Sequence, residues 1–351
     1  MVVLFHYLFR WPVIYCPSAK DGVGFLSSLA QYGYLGVDLF FIISGFVILF
    51  SSQNKSASQF AVGRFLRLYP AYWLGVSFTA LVLLLFPLKE NAFSLADYFL
   101  NLTMLQGYFR RLSIDGVYWT LMVELQFYAF IFFIIAIGKI HHIEKWLWAW
   151  FLVSVVLMFG ESPILRILGA LTIASWSFYF ISGCLFYLIY DTGCSLKRCL
   201  LLAFCWVMAI FAGINRVDAM DKDYNWAISF SPIIIASVIS LFFGLFFLFA
   251  TKRLRLFESP YWVVIGGVTY PLYLIHQCVG YVLLNAVGKR LPAWAGFLMV
   301  FLLMLGLAFV ISKYAETPMR RWLGPVVNKW LENVPAQWSK RLKTLSPGNA
   351  R

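Results

Sequence analysis

The chain has 351 residues, 62% of them hydrophobic, 19% aromatic and only 12% charged, with a mean hydropathy of +0.80. A soluble domain of this length needs far more polar surface, and apolar runs that are continuous rather than alternating argue against a β-barrel. The net charge of +13 is spread over short loops between apolar blocks, which speaks against nucleic acid as a partner and for a polytopic protein of the lipid bilayer. The six cysteines sit mostly in or beside apolar runs and read as small hydrophobes rather than a disulfide framework.

Apolar runs place ten spans, at roughly 1–16, 32–51, 69–88, 117–138, 146–160, 167–190, 199–214, 228–250, 261–287 and 293–312. The fold class read from them is an all-α integral membrane protein of about ten transmembrane helices, the first truncated at its N-terminus. That first span starts at Met1 without a polar flank, and the eleven residues ahead of Pro12 make only about 16 Å of helix, half the hydrocarbon thickness. It lacks the basic n-region and cleavage site of a signal peptide, so natural sequence is expected to precede Met1. Residues 1–315 are read as one polytopic transmembrane domain and 316–351 as a basic, Trp-containing tail on the cytoplasmic membrane surface.

Lys and Arg set the orientation. One set of loops holds Lys55, Arg64 and Arg67, then Lys139 and Lys145, then Lys197 and Arg198, then Lys252, Arg253 and Arg255. The tail adds Lys313, Arg320, Arg321, Lys329, Lys340, Arg341, Lys343 and Arg351, so 18 of the 28 basic residues share one side. The opposite loops mix in Glu90, Asp97, Asp115, Asp218, Asp221 and Asp223. The basic side is expected to be cytoplasmic, with both termini on it.

Ionisable groups inside spans are costly and suggest function. His6, in MVVLFHYLF, reads as a general base working near neutral pH or as a structural histidine bonded to another helix. Glu124, in DGVYWTLMVELQFYAF, lies about 10 Å into the fourth span. It orients a histidine or a substrate hydroxyl, or makes a buried hydrogen bond to a Tyr or Trp. Asp38, near the outer end of the second span, lines a polar pocket or pairs with an Arg or a backbone N–H. His276 follows Tyr273 by three residues in TYPLYLIHQCVGY, so both share a helix face, and Pro271 there frees a carbonyl. Arg64 and Arg67, three apart in RFLRLYP, present planar forks that suit phosphate, or are ordinary orienting charge. His141 and His142 read as solvated, and no metal site is expected. Walker, GxGxxG, CxxC and HExxH patterns do not occur, which sets aside ATP-driven pumping, dinucleotide chemistry and zinc proteolysis. Asn101-Leu-Thr103 is formally a glycosylation site, a pattern too common to use.

In order along the chain, His6, GYLGVDLFFIISGFVI (residues 33–48), FAVGRFLRLYPAYW (60–73), YWTLMVELQFY (118–128), TYPLYLIH (269–276) and AETPMRRW (315–322) together resemble the membrane-bound acyltransferase 3 family. These are O-acetyltransferase-like integral membrane proteins that move acetyl or other acyl groups onto sugars and related hydroxyl compounds. The resemblance implies an acyl-CoA co-substrate on the cytoplasmic side, acetyl-CoA being the simplest, with no permanently bound cofactor. It implies a carbohydrate or glycolipid acceptor, and a place in the cell (inner) membrane. The family's span-one histidine maps onto His6, its span-four glutamate onto Glu124, and its paired arginines onto Arg64 and Arg67. Asp38, Trp119, Tyr128, Tyr273 and His276 are then candidates to line the pocket or bind the acceptor, with Tyr128, Tyr273 or His276 as oxyanion donor. The family's usual Arg about ten residues before that histidine is absent, because only five residues precede His6.

The resulting expectation is direct acyl transfer with His6 as base, a covalent acyl-histidine being the competing scheme. A second class of function is a proton-coupled transporter or flippase of a lipid-linked or small polar substrate, with the intramembrane His, Asp and Glu as a relay. A third is a non-catalytic membrane scaffold.

Overall fold

The computed structural model describes residues 1–351 apart from 16, 89–90, 225–229, 255–258, 260, 289 and 333–351. Of the charges used for orientation, Glu90, Arg255, Lys340, Arg341, Lys343 and Arg351 lie outside the described residues, as does the tail beyond residue 332.

Among the described residues each of the ten spans is mostly helical, and no strand occurs. Among the described residues seven helices are long and apolar enough to cross a bilayer: Gly24–Ser52, Ala57–Leu85, Gly116–Ala136, Pro163–Thr192, Leu196–Val217, Pro232–Ala250 and Ala293–Lys329. An eighth crossing is a bent pair, Tyr261–Ile275 and Cys278–Val287, with 74° between its halves. The protein is thus a multi-pass helical membrane protein, and the count of ten is approximate. The first span (residues 2–15) and the fifth (Ile143–Met158, 16 residues) are helical but short. Sixteen residues reach about 24 Å, less than a hydrocarbon core.

The tenth span does not stop where its hydropathy does. The helix widens into a π turn at Ile311–Glu316 and runs on as Thr317–Glu332. The first span contains the matching feature, a π turn at Phe5–Arg10. Each π turn ends two residues before a proline, Pro12 or Pro318. Proline donates no N–H, and its ring crowds the carbonyl four residues back. Widening the turn by one residue makes room. The first N–H beyond each turn accordingly reaches back five residues, Trp11 to the His6 carbonyl and Thr317 to that of Ser312. Such bulges concentrate at functional positions; one carries His6 and the other ends in Glu316.

The chain divides into two compact units. The first comprises the described residues of Met1–Tyr34, Ala61–Met122 and Phe257–Val334; the second comprises those of Leu35–Phe60 and Val123–Leu256. In the first unit the long connector after the third span folds back along that span. Tyr98 bonds Ser77 (2.9 Å), and Tyr72, Trp73 and Tyr69 donate to the carbonyls of Asn101, Leu102 and Thr103 at 2.7, 3.0 and 3.0 Å. Tyr69 lies sixteen residues, or about 24 Å of helix, before Leu85, so the connector reaches far back along the span. Asn101, formally the glycosylation acceptor, is buried at its centre, donating to the carbonyls of Asp97 and Leu112 and accepting from the Ile114 N–H.

The second unit is built around a glycine contact. A Cβ on Gly183 would stand 2.1 Å from the Ile42 carbonyl oxygen, and one on Gly45 2.3 Å from that of Phe180. Lipid is as apolar as leucine, so helices associate in a bilayer through close packing rather than solvent exclusion, and small residues permit it. Phe41, Phe127 and Phe180 stack beside this crossing with centroids 4.6 and 4.4 Å apart.

Gly183→Ala places a methyl group against backbone that cannot swing aside. Its expected cost is at or above the upper end of the roughly 1–3 kcal/mol of ordinary overpacking. Gly244→Ala, where nothing lies within 4 Å of the added atom, is expected to be neutral or stabilising. Thermal unfolding in detergent, read side by side, checks both.

Candidate active site

In the first unit the first span meets the break in the ninth. His6, buried on its π turn, places Nδ1 2.9 Å from the Tyr281 hydroxyl, and its ring stands edge-on to that of His276 with centroids 5.0 Å apart. The neighbouring Tyr7 hydroxyl donates to the His276 carbonyl at 2.8 Å. That contact needs glycine opposite, because a Cβ on Gly280 would lie 2.2 Å from the Tyr7 oxygen.

His276 is fully buried, with Nδ1 2.7 Å from the Tyr273 carbonyl. A carbonyl only accepts, so this bond assigns the proton to Nδ1 and leaves Nε2 as a lone pair. Nε2 is buried without a hydrogen-bond partner among the described residues. Neutral His276 can therefore accept a proton but not supply one to an oxyanion. The Tyr273 hydroxyl is held between Thr120 Oγ1 (2.6 Å) and the Val117 carbonyl (3.1 Å).

The helix break itself is satisfied by an acid. Fully buried Asp115 accepts from the Val117 N–H at 3.1 Å and, across the break, from the Cys278 N–H at 2.9 Å. Burial, only partly offset by these two bonds and by the charge of Arg10, pushes its carboxyl up to about 6. Pro271 does free a carbonyl, that of Gly267, and the Ser312 hydroxyl occupies it at 3.2 Å.

Arg64 and Arg67 lie in the same unit, half-buried on the third helix. The Arg67 guanidinium stands 5.5 Å from the Tyr270 ring centroid and 3.8 Å from the Glu316 carboxylate. Trp119, at the start of the fourth span, is exposed.

In the second unit Glu124 is buried, accepting at Oε1 from Tyr128 (2.5 Å) and Ser44 (3.0 Å). The Tyr128 hydroxyl, proposed from sequence as an oxyanion donor, is thus committed to Glu124. Asp38 is fully buried in a two-pronged pair with Arg216, both contacts 2.8 Å, and Arg216 lies over the Trp176 ring at 4.4 Å. His141 and His142 are exposed.

The structure thus brings together His6, Tyr273 and His276 in one unit and Glu124 with Tyr128 in the other. Sequence reasoning missed Tyr7, Tyr281, Ser44, Arg216 and Glu316, and took Asp115 for a loop acid. Tyr281 was the most findable, five residues past His276 in the same motif.

A family described as an acyltransferase domain matches residues 1–313, so the resemblance read from the motifs is borne out. The chain is also 24% identical over 309 residues to the "Putative acetyltransferase" of Acidianus two-tailed virus, covering 84% of this chain and 82% of the viral one. No solved structure matches.

Two outcomes follow from the break. Gly280→Ala is expected to displace Tyr7, lowering the thermal midpoint and any turnover that needs His6. Asp115 holds its proton more tightly when folded (about 6) than an unfolded carboxyl does (about 3.9). Its contribution is complete below the lower value and is lost as pH rises through the upper one. Stability in detergent is therefore expected to fall between about pH 4 and 6, by on the order of a few kcal/mol from this group. Asp115→Asn should flatten that slope, whatever it does to the midpoint.

Proposed function

The chain belongs to the acyltransferase 3 family, and on that premise we propose that it moves an acyl group, acetyl in the simplest case, from acyl-CoA to a hydroxyl of a surface or exported carbohydrate or glycolipid. It works from the cell (inner) membrane, with both termini and the donor on the cytoplasmic side. One observation carries the reading. The ninth helix places Tyr270 under the Arg67 guanidinium and His276 against the His6 ring. These two residues are six apart, or about 9 Å of helical rise. A cation suited to an anion and a candidate base thus both pack against one short segment, residues 270–276.

In the proposed mechanism Arg64 and Arg67 hold the phosphates of the donor, with the thioester directed inward. Tyr281 accepts the Nδ1 proton of His6, which leaves Nε2 as the base. Nε2 takes the proton of the acceptor hydroxyl, the oxygen attacks the thioester carbonyl carbon, the carbon–sulfur bond breaks, and the coenzyme A thiolate leaves and takes up the proton. Within the second unit Glu124, fixed by Tyr128 and Ser44, is kept as a catalytic candidate and Asp38 as a pocket candidate; Trp119 is a pocket candidate of the first unit. His276 donates through Nδ1 to the Tyr273 carbonyl, so its Nε2 can accept a hydrogen bond from a substrate group but cannot donate one. In the covalent alternative the acyl group rests on His6 before transfer; stable radiolabel on the wild-type protein without acceptor, absent in His6→Ala, would select it.

One feature favours a second reading. Interrupted helices line substrate sites in transporters, usually as a pair related by repeat symmetry; among the described residues there is a single bent pair.

The test is turnover of acetyl-CoA by the purified full chain in nanodiscs. His6→Ala is expected to lower kcat by about 10²–10⁴. Tyr281→Phe should lower it about tenfold at unchanged donor KM, the mark of a group that orients the base. Arg67→Ala should raise donor KM with little change in kcat. Full turnover in His6→Ala sinks the base assignment; proton-gradient-dependent substrate movement without acyl transfer establishes the transporter instead.

A further inference from the structure

Glu316 ends the second π turn with its side chain only 4% exposed. Its Oε1 lies 3.8 Å from Arg67 Nη1 and 3.8 Å from Arg320 Nη1, one turn further on. Its Oε2 is buried with no hydrogen-bond partner among the described residues. The two arginine side chains remain 39% and 45% exposed. In the sequence Arg320 counts as orienting charge and as part of the AETPMRRW motif, with no role of its own.

Burying a carboxylate is expensive, and the cost is recovered only by close, hydrogen-bonded pairing. This protein builds such a pair elsewhere: Arg216 grips both oxygens of Asp38 at 2.8 Å. Glu316 is not used that way. At 3.8 Å its attraction holds two guanidinium groups in place while leaving their N–H donors unspent on it, since a charge-assisted hydrogen bond would need about 2.7–2.9 Å. The Tyr270 ring supports Arg67 as well. One carboxylate against two guanidinium groups leaves net positive charge with half-exposed forks. That is a preorganised receptor for an anion rather than a stability device.

We infer that Arg320 is a third cation of the phosphate site that Arg64 and Arg67 begin, and that Glu316 is its positioning residue. The ligand class is a nucleotide carrying more than one phosphate group, the acyl donor of the proposed reaction, so the inference rests on that reading. A lipid phosphate shares the chemistry, and the experiment separates the two.

The experiment measures binding of coenzyme A to the full chain in nanodiscs of phosphatidylcholine by isothermal titration calorimetry. Arg320→Ala is expected to weaken binding about tenfold. Arg320→Lys, which keeps the charge but not the fork, should recover only part of it, and it covers the case in which the alanine variant does not fold. Arg321→Ala, which removes the same charge one residue away, should leave binding unchanged. Glu316→Gln decides the positioning role by its sign. Weaker binding means that the carboxylate holds the arginines; unchanged or tighter binding means that it merely opposes the ligand's charge, and overturns the inference. If wild type binds and Arg67→Ala weakens it but Arg320→Ala does not, the inference fails alone. If Arg320→Ala spares coenzyme A but lowers retention of phosphatidylglycerol, the anion is a lipid headgroup and the donor assignment is wrong. If wild type does not bind coenzyme A at all, the donor reading falls and takes this inference with it.

Discussion

Inside a bilayer a freed backbone group has no water to turn to, and the site of this protein is assembled from the groups that answer that requirement. The ninth helix is interrupted at residues 276–277. Asp115 takes the Cys278 N–H across the break, Tyr7 donates to the His276 carbonyl, Tyr118 donates to that of Leu274 at 3.1 Å, and Ser312 occupies the carbonyl that Pro271 leaves open. Each of these partners comes from a different span or connector. Satisfying the break therefore converges several elements on His276, and through it on His6.

The prolines act one level earlier. Pro12 and Pro318 each widen the turn before them, and the widened turns carry His6 and Glu316. A π turn re-aims the side chains on it relative to a regular helix. The same residue type thus tilts a histidine toward the ninth helix in one place and holds a carboxylate between two arginines in another. Gly280 completes the arrangement by leaving room for the Tyr7 ring.

Buried acids are handled in distinct ways, and the differences carry chemical meaning. Asp38 is closed in a tight fork by Arg216, which occupies both of its oxygens. Glu124 accepts hydroxyls from Tyr128 and Ser44, Asp115 accepts backbone N–H groups, and Glu316 stands loosely between arginines. Desolvation penalises all four alike; what each acid can do follows from how completely its oxygens are occupied.

Much of this was legible in the sequence. Ten apolar blocks required helices, because only internally bonded structures cross lipid, and the buried His6, Glu124 and His276 stood out because such groups are costly there. The ordered motifs from His6 to AETPMRRW identified the family. What one dimension could not carry was pairing. That Asp38 meets Arg216 and His6 meets Tyr281 depends on which helices lie side by side, over separations of 178 and 275 residues, and no local periodicity encodes that. Nor could hydropathy reveal that the connector after the third span folds back along it, since its backbone partners are aromatic hydroxyls and an indole of another helix. Composition and spacing determined that the chain is a bundle of membrane helices with titratable groups inside. Tertiary structure alone decided which of those groups are spent on one another and which keep atoms open for a ligand, because occupancy of a hydrogen-bonding atom is a property of contacts rather than of residue type.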